Sequence, residues 1–338
     1  MQGDLHHMDV LSEILAICRA ERAVTARFRL SAPWGLRSEG VVGAAVIRMA
    51  FGAPWWIEVA GTSQWLRVEP GDLVMLPLGT PHRMGSAPDV TAVPLTQLMS
   101  QRTPGARDEA PLALSHGGGG ETGEMSSALL WFSAYCRHSV LGILPPLIHV
   151  QAHGLSTAVG LAHTMDALVT ETLNQRPGWR LSASRMGELL LVNILREHLA
   201  HTADAAQAHW WRGLSDPAIA RAIAAMHRDP AQAWTVGLLA HHAAMSRSRF
   251  SDRFKALVGN TPMGYLGAHR MALAAEQLEA AHLPLSQIAQ AAGYESAKVF
   301  ARAFQRWAGL SPTAYAKREA EHRSALGSLS SAPDETPP

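Results

Sequence analysis

The chain has 338 residues, 47% hydrophobic and 17% charged, enough for two domains or slightly more, each burying its own core. No run of eighteen apolar residues stands free of charge, which argues against a membrane span, and the opening MQGDLHHMDVLSEIL lacks the basic start, apolar stretch and small-residue cleavage site of a secretory signal. With a formal net charge of +1 and only two cysteines, Cys18 and Cys136, a disulfide framework is excluded and a soluble cytoplasmic protein is expected.

Residues 10–20 predict a short amphipathic helix, with Val10, Leu11, Ile14, Leu15 and Cys18 on one face. From Phe28 to about Val90 the pattern changes to short apolar runs punctuated by Gly and Pro. VVGAAVIRM, PWWIEV, QWLRV and DLVMLPL read as strands of an all-β unit. Residues 101–127 mix Pro, Gly and polar side chains, with His116 leading into four glycines, and are expected to form a flexible loop. SALLWFSAYCR then reads as another strand.

After LPPLIHV (144–150) the period becomes helical. Leu161, Met165, Leu168, Val169 and Leu173 mark one helix within 155–173, and Met186, Leu189, Leu190, Ile194 and Leu195 a second within 181–202, with NQRPGW between them. Two antiparallel helices make a connector, whose apolar face either pairs with a second subunit or packs on the chain's own β unit. The tail SALGSLSSAPDETPP has the composition of a disordered segment.

The C-terminal third carries one pattern written twice. Ser246-x3-Phe250-x3-Phe254-x4-Gly259-x2-Pro262-x2-Tyr265 recurs fifty residues on as Ser296-x3-Phe300-x3-Phe304-x4-Gly309-x2-Pro312-x2-Tyr315, and six identities at one offset are hard to get by chance. Before each lies a short apolar helix, with small Ala240 and Ala289 allowing close helix approach. Ala244 and Gly293 sit in the turns, where positive φ favours Gly. Ser246 and Ser296 are expected N-caps. Phe250 and Phe254, like Phe300 and Phe304, share a face and anchor the helix inward. Gly259 and Gly309 stop the helices, and Pro262 and Pro312 start the next ones.

These assignments describe a doubled helix-turn-helix. The outward face of the first unit then holds Ser248 and Asp252 flanked by Arg247 and Ser251, with Arg249 and Arg253 as expected phosphate contacts. The second unit presents Lys298 and Arg302 flanked by Ala297 and Ala301, and Arg302 has the reach for guanine O6 and N7. Charge distribution agrees: residues 210–320 hold 13 Lys/Arg against 7 Asp/Glu, whereas residues 1–209 hold 15 Arg against 18 Asp/Glu, so only one end of the chain suits phosphate contact.

WTVGLLAHHAAMSRSRFSDRFKALVGNTPMGYL, followed by PLSQIAQAAGYESAKVFARAFQRWAGLSPTAYAKRE, resembles the DNA-binding domain of the AraC/XylS regulators over about residues 212–318. The resemblance implies two helix-turn-helix units joined by a long helix near Pro262–Ala281, with recognition helices in successive major grooves. Matched residue by residue, it gives Ser248, Ser251 and Asp252 in the first helix, and Ala297, Lys298 and Arg302 in the second. Some family members carry a large aromatic or basic residue where this chain has Ser248 and Asp252. The two units are therefore expected to play unequal roles, the second supplying more of the charge. PGDLVMLPLGTPH (70–82) resembles the second half-motif of the cupin jelly roll, and with PWGLR (33–37) it is similar to the cupin-containing branch of the same family.

Cupin enzymes use the histidine corresponding to His82 as a metal ligand, but the strand expected to supply further ligands, 43–59, contains no histidine, and a lone imidazole makes a poor site. No metal or cofactor is therefore expected, and His82 is read as a hydrogen-bonding residue at a strand end. Trp34, Trp56, Trp65 and Trp131, with His82, are candidates for an effector pocket. Cys18 and Cys136 are candidates for redox sensing, with Arg137 and His138 placed to favour a thiolate.

The expected architecture is α+β and multidomain: a cupin-like jelly roll over 1–152, a helical connector and dimerisation segment over 153–209, an all-α DNA-binding domain over 210–320, and a disordered tail over 321–338. The expected function is that of a transcription regulator, not an enzyme, acting as activator or repressor. Its expected partners are promoter DNA, a small-molecule effector, RNA polymerase and a second copy of the chain. The competing readings are a cupin metal enzyme fused to a DNA-binding module and an architectural DNA binder without a ligand.

Overall fold

The computed structural model describes residues 10–62, 64–99, 112–152, 155–202, 213–214, 216–280 and 282–328. They divide into two compact units that do not follow chain order. One comprises residues 19–133 and 144–200, the other residues 10–18, 134–143 and 213–325.

The first unit is a two-sheet sandwich. Its strands are β1 (Ala20–Ser31), β2 (Gly35–Ser38), β3 (Ala44–Phe51), β4 (Trp55–Val59), β5 (Trp65–Val68), β6 (Leu73–Leu76), β7 (His82–Gly85), β8 (Val93–Pro94), β9 (Leu112–Gly117), β10 (Thr122–Phe132) and β11 (Ile148–Val150), with a short helix α2 (Leu95–Met99) after β8. One sheet has the order β11-β6-β3-β10-β1-β9 and the other β5-β4-β7-β2-β8. Alternation along β1, β3 and β10 sends Phe28, Leu30, Val46, Ala50 and Met125 inward, where they meet Trp34, Leu36, Trp55, Ile57 and Met84 of the second sheet in one continuous core.

The outer face of the larger sheet is covered by two helices, α4 (Leu155–Asn174) and α5 (Trp179–Thr202). Thr25 on β1 and Thr172 on α4, both buried, share a hydrogen bond of 2.6 Å, and Glu188 on α5 accepts from the backbone N–H of Ala20 at 3.1 Å. Gly187 lets α5 approach the sheet closely: a Cβ there would stand 3.0 Å from a Leu130 methyl. The connector helices thus bury one face on the chain's own β unit, the second of the two expected arrangements.

Several predicted elements are redrawn. β1 begins at Ala20, eight residues before the expected start of the β region. The expected loop 101–127 contains β9, a strand pairing parallel with β1, and the start of β10; residues 100–111 lie outside the described residues. SALLWFSAYCR is strand only to Phe132, after which Ala134–Ser139 form a helix, α3, followed by a single 3-10 turn at Leu141–Ile143.

Inside the sandwich, Arg48 and His82 link the two sheets. Arg48 faces inward on β3 opposite Ser127 of β10, donates to Ser127 Oγ at 3.0 Å and to His82 Nε2 at 3.1 Å. An arginine can only donate, so His82 Nε2 accepts and its Nδ1 carries the proton that is given to Thr80 O at 2.8 Å. Burial, helped by the Arg48 charge and opposed by the Thr80 bond, lowers the His82 pKa to about 3. Burial also lowers Arg48 to about 10, which still leaves it cationic at neutral pH. No ion pair to Arg48 occurs among the described residues, and its Nε has no hydrogen-bond partner.

The second unit is helical. Helices α6 (Pro217–Arg228), α7 (Val236–His242) and α8 (Arg247–Val258) form the first helix-turn-helix region. The long α9 (Pro262–Ala280) leads to the second, α10 (Leu285–Ala291) and α11 (Ala297–Ala308), followed by α12 (Pro312–Ser328). Two segments from the N-terminal half complete this unit: α1 (Val10–Leu15) lies against α6, and α3 lies against α9. The last helix runs to Ser328, past the expected boundary of the tail at 320, and residues 329–338 lie outside the described residues.

Removing the neutral acceptor leaves a buried guanidinium with an unmade hydrogen bond, whereas removing both partners does not. His82→Leu is expected to destabilise the sandwich by about 2–4 kcal/mol, and adding Arg48→Met is expected to recover most of the loss. Urea unfolding of the two variants checks this, and an unchanged midpoint for His82→Leu would refute it.

Candidate nucleic-acid interface

Each recognition helix is fixed in rotation by two phenylalanines. Phe250 and Phe254 on α8, and Phe300 and Phe304 on α11, are completely buried, each pair with ring centroids 5.6 Å apart. Gly259 and Gly309 end these helices in the left-handed conformation, at φ 79° and 73°. Pro262 and Pro312 open α9 and α12 at the position where a missing N–H costs nothing.

The N-caps differ between the repeats. Ser296 accepts from Val299 N at 3.3 Å, but Ser246, although at the N-cap position, makes no side-chain cap bond. The turns differ as well. Gly293 takes φ 76° at no steric cost, while Ala244 is held at φ 53° with its Cβ in place.

With the phenylalanines inward, α8 exposes Arg247, Ser248, Arg249, Asp252, Arg253 and Lys255. Ser251 is half-buried, and its hydroxyl donates back to Arg247 O at 3.0 Å, which leaves it only lone pairs for an outside partner. Arg253 is engaged by the acid that caps α6. Its Nε donates to Asp216 at 2.7 Å, while Asp216 also accepts from Ala218 N and Ile219 N. Burial alone would raise the Asp216 carboxyl, but those backbone bonds and Arg253 outweigh it and hold the pKa below its usual value. Arg253 is thus tied to the scaffold, and Arg249 is the freer cation of the pair expected to contact phosphate.

On α11, Lys298 and Arg302 are exposed, with Ala297 and Ala301 half-buried beside them. Val299 is also exposed, at 56%, although its residue type marked it for a core. The only sequence signal for it is position: it directly precedes the buried Phe300 and lies next to Lys298 on the outward side.

The buried side of this unit holds a histidine pair. His227 on α6 and His269 on α9 stack at 4.0 Å; His227 Nε2 bonds the Tyr265 hydroxyl at 2.8 Å, and among the described residues neither ring nitrogen of His269 has a hydrogen-bond partner. Burial, aided by the charge of Arg270, lowers His269 to about 4; burial and His269 hold His227 well below its ordinary value.

The candidate effector residues do not converge as a set. Trp34 and Trp56 border one cavity of about 290 Å³, together with Ala53, Arg67, Ser86 and Glu121. Trp65 lies instead under the Arg83 guanidinium at 5.4 Å, and Trp131 under that of Arg22 at 5.0 Å. His82 is enclosed with Arg48. A metal does not fit His82, because the nitrogen it would need already faces a guanidinium at 3.1 Å; among the described residues no three His, Cys, Asp or Glu side chains are grouped to hold one.

The conditions for a reactive thiolate are likewise unmet. Cys18 and Cys136 are both buried, and burial, reinforced by a hydrogen bond with Cys18, pushes the Cys136 thiol well above its ordinary pKa. Arg137, expected to favour the thiolate, is engaged by Glu279 at 2.5 Å and Glu319 at 3.5 Å.

A β-sandwich unit and a unit with two helix-turn-helix motifs, each presenting a polar face opposite a buried phenylalanine pair, define a DNA-binding regulator. A family model described as cupin matches residues 9–200, and one described as a helix-turn-helix domain matches residues 239–318. A putative AraC-like transcription regulator of Streptomyces lividans is 30% identical over 92% of this chain and 98% of its own length. Another, of Streptomyces antibioticus, is 39% identical over 55% of this chain and 61% of its own length. Among solved structures, the DNA-binding domain of AdpA in complex with a target DNA is 30% identical, with a TM-score of 0.30 over 32% of this chain and 97% of that one. The chain belongs to the AraC-like transcription regulators with an N-terminal cupin domain, and it is a sequence-specific DNA-binding regulator of transcription.

Two outcomes follow from the backbone and the buried histidines. Ala244→Gly removes the cost of a Cβ at positive φ and is expected to stabilise the helical unit by about 0.5–1 kcal/mol, net of the added freedom of the unfolded chain, as read by thermal unfolding. Both histidines have folded pKa values below the unfolded value, so the unfolded chain binds more protons over that interval. Their stabilising effect is therefore complete above about pH 6.5 and is lost as pH falls toward 4, on the order of 3 kcal/mol for His269. Urea unfolding of the helical unit at pH 7 and pH 5 measures the slope, and a slope unaltered by His269→Leu would refute the assignment.

Proposed function

We propose that α8 and α11 enter successive major grooves and that the second helix carries the base reading. The observation that supports this most is the outward cluster of Lys298, Val299 and Arg302 opposite the fully buried Phe300 and Phe304. Arg302 suits a bidentate contact to guanine, Lys298 a guanine or a phosphate, and Val299 the methyl group of thymine. On α8, Ser248 and Asp252 supply a lighter polar reading, while Arg247 and Arg249 contact phosphates. Ala297 and Ala301 leave room for the base edges, and Ser251 and Arg253 serve the scaffold first.

The sandwich unit is read as the regulatory input, taking a small effector beside Trp34 and Trp56. Such a ligand changes DNA occupancy only through unequal affinity for the competent and incompetent states. On this reading the chain catalyses no reaction. It works as a homodimer, in line with the exposed Leu173, Leu181 and Leu189 on α4 and α5, and contacts RNA polymerase at the promoter.

Genomic fragments selected by the purified protein supply the operator for the test. Arg302→Ala is expected to weaken operator binding and relax preference at one base pair by about 1–3 kcal/mol, and Lys298→Ala to weaken it. Gel-shift titrations in which both variants match the wild type would overturn the contact assignment.

A further inference from the structure

The short helix α3 belongs by chain order to the N-terminal half, inside the span of the cupin match, yet it packs within the helical unit. Ala134 is buried in the hydrophobic cluster of the second helix-turn-helix, with Ile288, Phe300 and Phe304. The backbone N–H of Tyr135 donates to Glu276 of α9 at 2.8 Å. Its ring, completely buried, stands edge-on to His269 of α9 at 5.6 Å, and its hydroxyl lies 3.3 Å from Nδ1 of His227 on α6.

The next turn reaches the other repeat. Arg137 donates to Glu279 of α9 at 2.5 Å and lies 3.5 Å from Glu319 of α12. Glu279 accepts in turn from the Tyr315 hydroxyl at 2.9 Å. His138 Nε2 is 3.1 Å from that hydroxyl, and its ring packs edge-on against Trp307 of recognition helix α11 at 4.7 Å. This one short helix therefore touches α6 on the first side, α9 between, and α11 and α12 on the second side.

This placement has a mechanical consequence. The two recognition helices are joined through α9, and a helical pair hinged at one helix retains rotational freedom unless a third element spans it. Contacts from α3 reach both sides of that hinge, His227 on one and Tyr315 and Glu319 on the other, and its two hydrogen bonds to carboxylates, Tyr135 to Glu276 and Arg137 to Glu279, tie it to α9 with the stronger class of hydrogen bond. Their burial shields them from solvent screening.

We propose that α3 is the brace that sets the spacing and relative orientation of α8 and α11, which makes Arg137 a positioning residue for DNA recognition although it lies outside the helix-turn-helix sequence. The proposal rests on the two-groove reading. A regulator with a braced pair of recognition helices accepts one separation between its two half-sites, since each added base pair both lengthens the site and rotates one half about the duplex axis. Without the brace, α9 alone governs the separation and the preference flattens.

The test uses the full chain and its genomically selected operator, with derivatives in which the two half-sites are moved apart or together by one and two base pairs, and a probe containing a single half-site. Wild type is expected to lose at least about tenfold in affinity for a one-base-pair change. Arg137→Ala is expected to lose about tenfold on the native operator, to fall within about threefold across all spacings, and to bind the single half-site as the wild type does. Arg137→Lys restores part of the spacing preference, and Glu319→Gln, which removes one partner while leaving Arg137 and Glu279 in place, shows the same flattening to a smaller degree. A spacing profile in both Arg137→Ala and Glu319→Gln as steep as the wild type's overturns the brace, and so does a uniform loss that includes the single half-site, which marks general unfolding. A wild-type protein indifferent to spacing overturns the two-groove reading itself, and the brace with it.

Discussion

Two fully buried phenylalanines one helical turn apart set what each recognition helix offers to a groove. A buried phenylalanine is worth roughly 1.5–3 kcal/mol from area alone, so a pair on one helix leaves a single favourable rotation about the helix axis. The side chains that face outward follow from that rotation: Ser248 and Asp252 on α8, Lys298, Val299 and Arg302 on α11. Capping then fixes length. A left-handed glycine ends each helix, and a proline starts the next, so a repeat of twelve helical residues comes out in the same frame twice.

Within that shared frame the two faces differ in where charge sits rather than in how much there is. α8 exposes Arg247, Arg249 and Lys255, but these flank a central Ser248 and Asp252, and Arg253 is drawn to Asp216. On α11 the cations Lys298 and Arg302 are themselves central, with an exposed Val299 between them. Cations at the edge of a helix meet the phosphate rails, and those at the centre meet base edges. On the proposed reading, the unequal roles of the two helices rest on this placement of charge.

What could be read from the chain alone was what depends on local periodicity and repetition. The doubled pattern located both helix-turn-helix units and the proline and glycine positions that bound them, and helical apolar spacing located the two connector helices. Alternation located most of the strands. What escaped needs partners far away in sequence. β9 is a short strand, LALSHG, apolar only in its first half and running into four glycines, and it forms where β1 pairs with it. α3 continues an apolar run that begins as β10, and nothing in SALLWFSAYCR marks where strand gives way to helix except the helical unit that receives Ala134 and Tyr135. The Arg48–His82 pair was hidden for the same reason: an arginine in an apolar strand reads as surface until its partners, 34 and 79 residues away, are known. Val299 was missed because exposure of an apolar residue cannot be read from its type.

The division of the molecule by packing rather than by chain order also bears on how it folds. Closing a contact between distant residues costs loop entropy that grows with the intervening chain, and the bonds that hold α3 span 141 residues at Tyr135–Glu276 and 177 at His138–Tyr315. The sandwich also closes distant contacts, with β1 paired to β10 and Thr25 bonded to Thr172, 147 residues on, but all of its partners lie before residue 201. During synthesis the sandwich strands are complete long before α12 exists, while Ala134 and Tyr135, both buried in the finished unit, meet their partners on α6, α9 and α11 only once those helices have been made. An apolar segment that waits so long exposed is hazardous, and its brevity limits the hazard: a single short helix between a strand and a 3-10 turn presents little surface for misassociation. With α3 as the proposed brace, the same wait means that α8 and α11 acquire their relative placement only after the helices that receive α3 have been made.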